Sequence, residues 1–168
     1  MNNDLVRLPL LFVMLCALQV FVLNHCHLFG CAIPLFYLWF VLKMRKGMPK
    51  WVMMVIAFAM GITIDTFTNT PGVAAASMTA AAMAQPYLLQ LFISREGDDN
   101  FIPSRVTLGL KPFVNYTIVL TGAYCTLFFT LEMFSFFNTL KWLQCVVGST
   151  VLTVALILAA DTLIHRVK

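Results

Sequence analysis

Four groups of residues in this 168-residue chain have the types and spacing that chemistry requires. His25, Cys26 and His27 are consecutive, with Cys31 shortly beyond, and together they resemble a metal-ligand set. Zinc needs three or four ligands converging tetrahedrally. Consecutive residues point in different directions on a helix, and no matching acid or histidine pair stands nearby. The set therefore reads as a polar turn with scattered thiols, leaving a Cys26–Cys31 disulfide open for an oxidising compartment. Asp161 and His165 stand four apart, with Arg166 adjacent, the spacing of a structural pair on one helix face. Glu132 closes an apolar run and reads as a water-facing end. Asp65 differs, because it is a lone carboxylate at the end of an otherwise apolar segment. Such an acid is costly in lipid and is a functional candidate by default. Nothing pairs a nucleophile with a base, cradles a phosphate in glycines or couples two acids, and the histidines are confined to positions 25, 27 and 165. The expectation is a protein that is not an enzyme, with no catalytic residue, no metal and no cofactor.

The stretch that must position Asp65 runs from Gly61 to Pro86, G-I-T-I-D-T-F-T-N-T-P-G-V-A-A-A-S-M-T-A-A-A-M-A-Q-P. Thr66, Thr68, Asn69 and Thr70 follow the acid and are placed to bond it or to cap the next helix. Pro71 and Gly72 make the turn. Gly72, Ala76, Ala80 and Ala84 then stand four apart, a flat stripe of small residues. Lipid tails gain nothing from such a stripe, whereas two helix backbones brought together through it approach closely. Gly61, Asp65, Pro71, Gly72, Ala76, Ala80 and Ala84 are therefore the candidate helix-packing or partner-binding residues. The stripe is expected to pack on another helix, within the chain or on a partner.

Composition sets the surroundings of this hairpin. Hydrophobic residues make up 61% and charged residues 11% of the chain, against about 45–50% and about 25% in ordinary soluble domains. Mean hydropathy is +0.88. The chain reads as an all-α integral membrane protein, one domain over residues 1–168. The net charge of +4 is no nucleic-acid footprint, because the basic residues cluster between apolar runs. Six candidate spans appear, at Leu8–Leu23, Leu28–Leu42, Trp51–Asp65, Gly72–Ile93, Phe113–Glu132 and Trp142–Ala160. The first reads as a retained helix, not a removed leader. The second and third are short for a span of about 20 residues, so either they borrow flanking residues or one of them lies tilted or partly re-entrant in the protein interior. Six crossings put ten of the eleven basic residues on one side and only Lys141 on the other. The positive-inside rule then predicts both termini in the cytoplasm. The loop Ser94–Pro112, broken by Gly97, Pro103 and Gly109, is expected to hold little regular structure.

The Gly61-x-x-x-Asp65 motif, the Pro71-Gly72 turn and the small-residue helix after it resemble the bacterial rod shape-determining protein MreD family. The run from Tyr124 to Phe134, with its Leu-Glu-x-Phe end, is also similar to the fifth helix of that family, although many relatives carry a histidine where this chain has Tyr124 and Cys125. The resemblance implies a non-catalytic subunit of the bacterial inner membrane. Such a subunit would bind MreC and, through it, meet RodA, a penicillin-binding transpeptidase and MreB, organising peptidoglycan synthesis in support of rod shape. Membrane lipid is a further expected partner, including a lipid in a lateral groove, and nucleic acid is not. The family also looks similar in fold to the substrate-binding subunits of energy-coupling-factor transporters. That similarity supplies the alternative, a small-molecule-capturing transporter subunit. A third reading, an ion or proton carrier, rests on Asp65 alone.

Overall fold

The structure is a computed structural model that describes residues 2–23, 33–93, 101–133 and 139–166, with side chains for 9–23, 33–93, 101–133 and 139–163. Its elements are α1 (Asn2–Phe21), α2 (Leu38–Leu42), α3 (Lys50–Thr68), α4 (Val73–Phe92), α5 (Arg105–Leu108), α6 (Leu110–Glu132) and α7 (Thr139–Arg166). Among the described residues, three helices, Lys50–Thr68, Leu110–Glu132 and Thr139–Leu163, are long and apolar enough to cross a membrane. Helix α4 is 20 residues long and carries Gln85, Pro86 and Gln90 in its second half. In α1 the apolar part is the shorter run Pro9–Phe21.

Each long helix buries one stripe at helical spacing. In α3 it is Met53, Ala57, Met60 and Ile64, with Gly61 beside them. In α6 it is Phe113, Thr117, Leu120, Tyr124 and Phe128. In α7 the buried positions Cys145, Ser149, Thr153, Ile157 and Asp161 repeat every four residues along the helix. The opposite faces carry exposed apolar side chains such as Val55, Phe58, Leu127 and Val151, as lipid-facing surfaces do. The most extensive packing joins α3 to α4, α4 to α6 and α6 to α7.

The second apolar run, one of the two that are short for a span, is irregular over part of its length. Leu28–Leu42 reads as a helix, yet among its described residues only Leu38–Leu42 are helical, and 33–35 have no regular structure before a turn at Phe36 and Tyr37. Pro34 explains the break: it lacks an N–H and restricts the residue before it. From Leu35 to Leu42 every residue is buried. Non-helical backbone at membrane depth is tolerable only where protein satisfies its polar groups, and here side chains of α1 and α7 do so. Ile33 N donates to Ser149 Oγ (3.1 Å) and Leu35 N to Thr153 Oγ1 (3.0 Å). Gln19 Nε2 donates to the Pro34 carbonyl (3.0 Å), and its Oε1 accepts from Phe36 N (3.2 Å). Farther along, Lys43 meets Asp161 on the same stripe of α7. Ser149, Thr153 and Asp161 thus form a rail about 18 Å long, at 1.5 Å per residue, along which the central segment is tied down.

The loop after α4 also holds a little more order than its glycines and prolines imply. Ser104 caps the single turn of α5 with a reciprocal bond to Thr107, and Gly109 (φ +87°) separates α5 from α6.

Candidate functional site

Helix α3 ends where Asn69 adopts a left-handed conformation (φ 58°), and Gly72 (φ 80°) turns the chain into α4. The two positive-φ residues bring the first turn of α4 back over the last turn of α3. The exposed amides of a helix start attract an anion. Asp65 supplies it: Oδ1 accepts from Ala74 N and Thr70 Oγ1, and Oδ2 accepts from Ala75 N, each at 2.9 Å. Its side chain is buried, with the residue only 7% exposed. The carboxylate therefore belongs to helix α4 as much as to α3. Thr68 and Thr70 complete the turn through a hydroxyl contact of 2.7 Å.

One helical turn before Asp65, Gly61 faces the same start of α4. A Cβ there would lie 2.3 Å from Ala75 Cα, 2.6 Å from Ala75 N and 2.8 Å from the Ala74 carbonyl oxygen. This is backbone against backbone, and only glycine allows it. Gly61 and Asp65 together weld α3 to α4, one by removing its side chain and the other by bonding amides with its own.

The predicted stripe does a different job from the weld. The buried face of α4 is Ala74, Ala75, Ser77, Met78, Ala81, Ala82, Gln85 and Leu89. Gly72 and Ala76 are exposed, and Ala80 and Ala84 half-buried. Gly72, Ala76 and Ala80 line an outward-facing apolar groove of about 640 Å³ between the two helices, together with the buried Ala75. Its α3 wall is Met54, Phe58 and Ile62, at four-residue spacing, and Thr79 and Met83 close the other side. Pro71 is exposed at the turn, and Ala84 lies beyond the lining. The structure thus brings Gly61 and Asp65 into one contact and Gly72, Ala76 and Ala80 into a neighbouring groove.

A second polar centre, at the opposite end of the bundle, joins residues that no spacing rule relates. Asp161 is fully buried, with Lys43 Nζ at 2.6 Å from Oδ1 and Arg105 Nε at 3.5 Å from Oδ2. Lys43 also donates to the Pro103 carbonyl (3.2 Å), and Arg105 Nη2 to the Leu158 carbonyl (2.7 Å). Lys43 lies over the rings of Trp39 and Phe113 as well. The sequence pairs Asp161 with His165, whose side chain lies outside the described residues, and gives no sign of Lys43 or Arg105. Ser149 and Thr153, polar and four apart on an apolar helix, were the readable trace of the α7 rail.

Of the other candidates, His25, Cys26, His27 and Cys31 lie outside the described residues. Glu132 is exposed at the end of α6. Cys16, Cys125 and Cys145 are buried thiols, and the hydroxyls of Tyr37 and Tyr124 are hydrogen-bonded to each other in the core. No protein-family model, no curated protein and no solved structure matches this chain.

Proposed function

We propose that this protein is a non-catalytic scaffold subunit of the bacterial inner membrane, whose α3–α4 hairpin seats a transmembrane helix of a partner in the cell-wall elongation complex. The observation that carries the reading is the separation of tasks on α4. Its buried face and the Gly61–Asp65 weld fix the hairpin, while the small residues Gly72, Ala76 and Ala80 line an outward groove that borders the weld at Ala75. A shallow, open apolar surface lined by small residues suits close approach of another helix. MreC is the proposed partner, and RodA, a penicillin-binding transpeptidase and MreB are met through it; this part rests on the family resemblance of the hairpin residues. The proposed topology is six crossings with both termini cytoplasmic, supported by the ten basic residues it gathers on one side.

Ala76→Leu and Ala80→Leu test the reading, because both positions line the groove and a larger side chain there fills it. Overpacking costs about 1–3 kcal/mol, which at 1.4 kcal/mol per tenfold is a loss of association of about one to two orders of magnitude. The expected result is normal membrane level and melting, lost co-purification of MreC and rounded cells. Well-folded variants that keep the partner and leave rods as rods refute it.

The transporter alternative draws on one observation, the non-helical segment 33–37 within the bundle, since broken helices build substrate sites in transporters. Small-molecule mass spectrometry on the purified protein separates the two. A stoichiometric water-soluble metabolite supports the transporter subunit, and its absence alongside retained MreC supports the scaffold.

A further inference from the structure

The Lys43–Lys50 turn and the segment 101–111 are remote in sequence but joined at one end of the bundle. Lys46 N donates to the Phe101 carbonyl (3.0 Å), Lys43 Nζ to the Pro103 carbonyl, and Lys43 and Arg105 share Asp161. The junction gathers Lys43, Arg45, Lys46, Lys50, Arg105 and Lys111. Among the described residues, the acids at this end are Asp161, buried under two of those cations, and Asp4 near the start of α1. In sequence, 94–100, outside the described residues, hold Arg95 against Glu96, Asp98 and Asp99, so the segments 43–50 and 94–111 carry seven basic residues against three acidic ones.

This charge does not stand alone. Trp51 is 69% exposed, Val106 75% and Leu110 59%, all next to the basic residues in the chain. Lys50 lies 4.2 Å above the centre of the Tyr87 ring and donates to its hydroxyl at 2.9 Å. An aromatic side chain with its polar end held by a lysine, at the end of an apolar helix, fits headgroup depth. Basic residues beside exposed apolar side chains fit an amphipathic ligand better than a purely aqueous one. We infer that this end of the bundle is a docking surface for anionic phospholipid, with the phosphates held by the Lys43–Lys50 turn and Lys111 and the acyl chains running past Trp51 and Leu110. The inference does not depend on the partner proposed for the α3–α4 groove.

The test uses the full chain in mild detergent with equal mole fractions of dioleoyl phosphatidylglycerol and dioleoyl phosphatidylcholine, read by native mass spectrometry. The wild-type protein should retain phosphatidylglycerol in preference, and the triple variant Lys46→Gln/Lys50→Gln/Lys111→Gln should lower that preference about tenfold or more, at a contribution of about one unit charge's attraction per residue. The variant leaves the Lys43–Asp161–Arg105 contact intact. Lys46→Arg/Lys50→Arg/Lys111→Arg should keep the preference, which separates lost charge from lost folding. Lys141→Gln, which removes a charge from the other end, should change nothing. Equal retention of the two lipids by the wild-type protein overturns the inference. So does an unchanged preference in the glutamine triple, or an equal loss in Lys141→Gln.

Discussion

Gly61→Ala is the smallest change that tests whether α3 and α4 are welded. The added Cβ would sit 2.3 Å from Ala75 Cα, and ordinary contact begins near 3.4 Å. The obstacle is backbone, so no rotamer change relieves it and the helices must part. The same displacement carries the 2.9 Å bonds from Ala74 N and Ala75 N to Asp65 out to about 4 Å, where they no longer count as hydrogen bonds. Overpacking alone costs about 1–3 kcal/mol, and loss of bonds to a charged group adds about 1.5–3 kcal/mol apiece when they break fully. Partial relaxation of both should leave a net destabilisation of about 2–4 kcal/mol. For a chain of this size each kcal/mol lowers the melting temperature by about 2–4 °C. Gly122→Ala is the internal control, because a Cβ there meets nothing within 4 Å. Within a helix that substitution is favourable by up to about 1 kcal/mol. The assay is thermal melting of both variants in one detergent, followed by fluorescence. If Gly61→Ala melts with or above Gly122→Ala, the close approach is not a feature of the folded protein and the weld fails as an explanation.

Three further substitutions read other parts of the structure. Asp65→Asn keeps the size but sets an amide NH₂ against a backbone N–H of Ala74 or Ala75, and should cost about 1–3 kcal/mol in the same melt; an unchanged melting temperature would show that the charge is not needed at the cap. Asp161→Asn leaves Lys43 and Arg105 without their shared anion and should cost about 3–5 kcal/mol, part of it recovered by adding Lys43→Met. Failure of the second change to restore anything would separate the two residues energetically. Thr153→Val orphans the Leu35 amide and should cost about 1–3 kcal/mol with faster hydrogen exchange at Leu35, whereas Thr126→Val, on an exposed face, should do neither.

These sites were unequally legible in the sequence. The long helices follow from apolar runs, which end within a few residues of the observed boundaries for α3, α4 and α6. Gly61 and Asp65 were visible as residues out of place in such a run. Asp65's partners were not, because amides 74 and 75 reach it only through the positive φ angles of Asn69 and Gly72. The segment before α2 was read only as a short span, helical or partly re-entrant, because apolar content alone does not distinguish a buried helix from a buried irregular strand of chain. Pro34 was the local signal, and Gln19, Ser149 and Thr153 were the distant ones. The Lys43–Asp161 contact joins residues 118 apart. No periodicity encodes that; only the packing of α7 along the central segment does.

The geometry at Asp65 also bears on what its carboxylate is free to do. A carrier acid must exchange its partners during each cycle, taking up an ion or proton where amides or hydroxyls stood before. Both oxygens of Asp65 are engaged by the start of α4, and two of the three donors are backbone amides whose alternative partners lie outside their own helix. Releasing them would expose the first turn of α4 within an apolar region and strip the contact at Gly61 of its second tie. The cost would fall on the fold at every turnover. A carboxylate so placed is suited to holding a hairpin in one shape, and the groove lined by Gly72, Ala76 and Ala80 lies on the outer face of that hairpin. The acid that looked most like a reactive group is, by its contacts, what makes the neighbouring surface rigid.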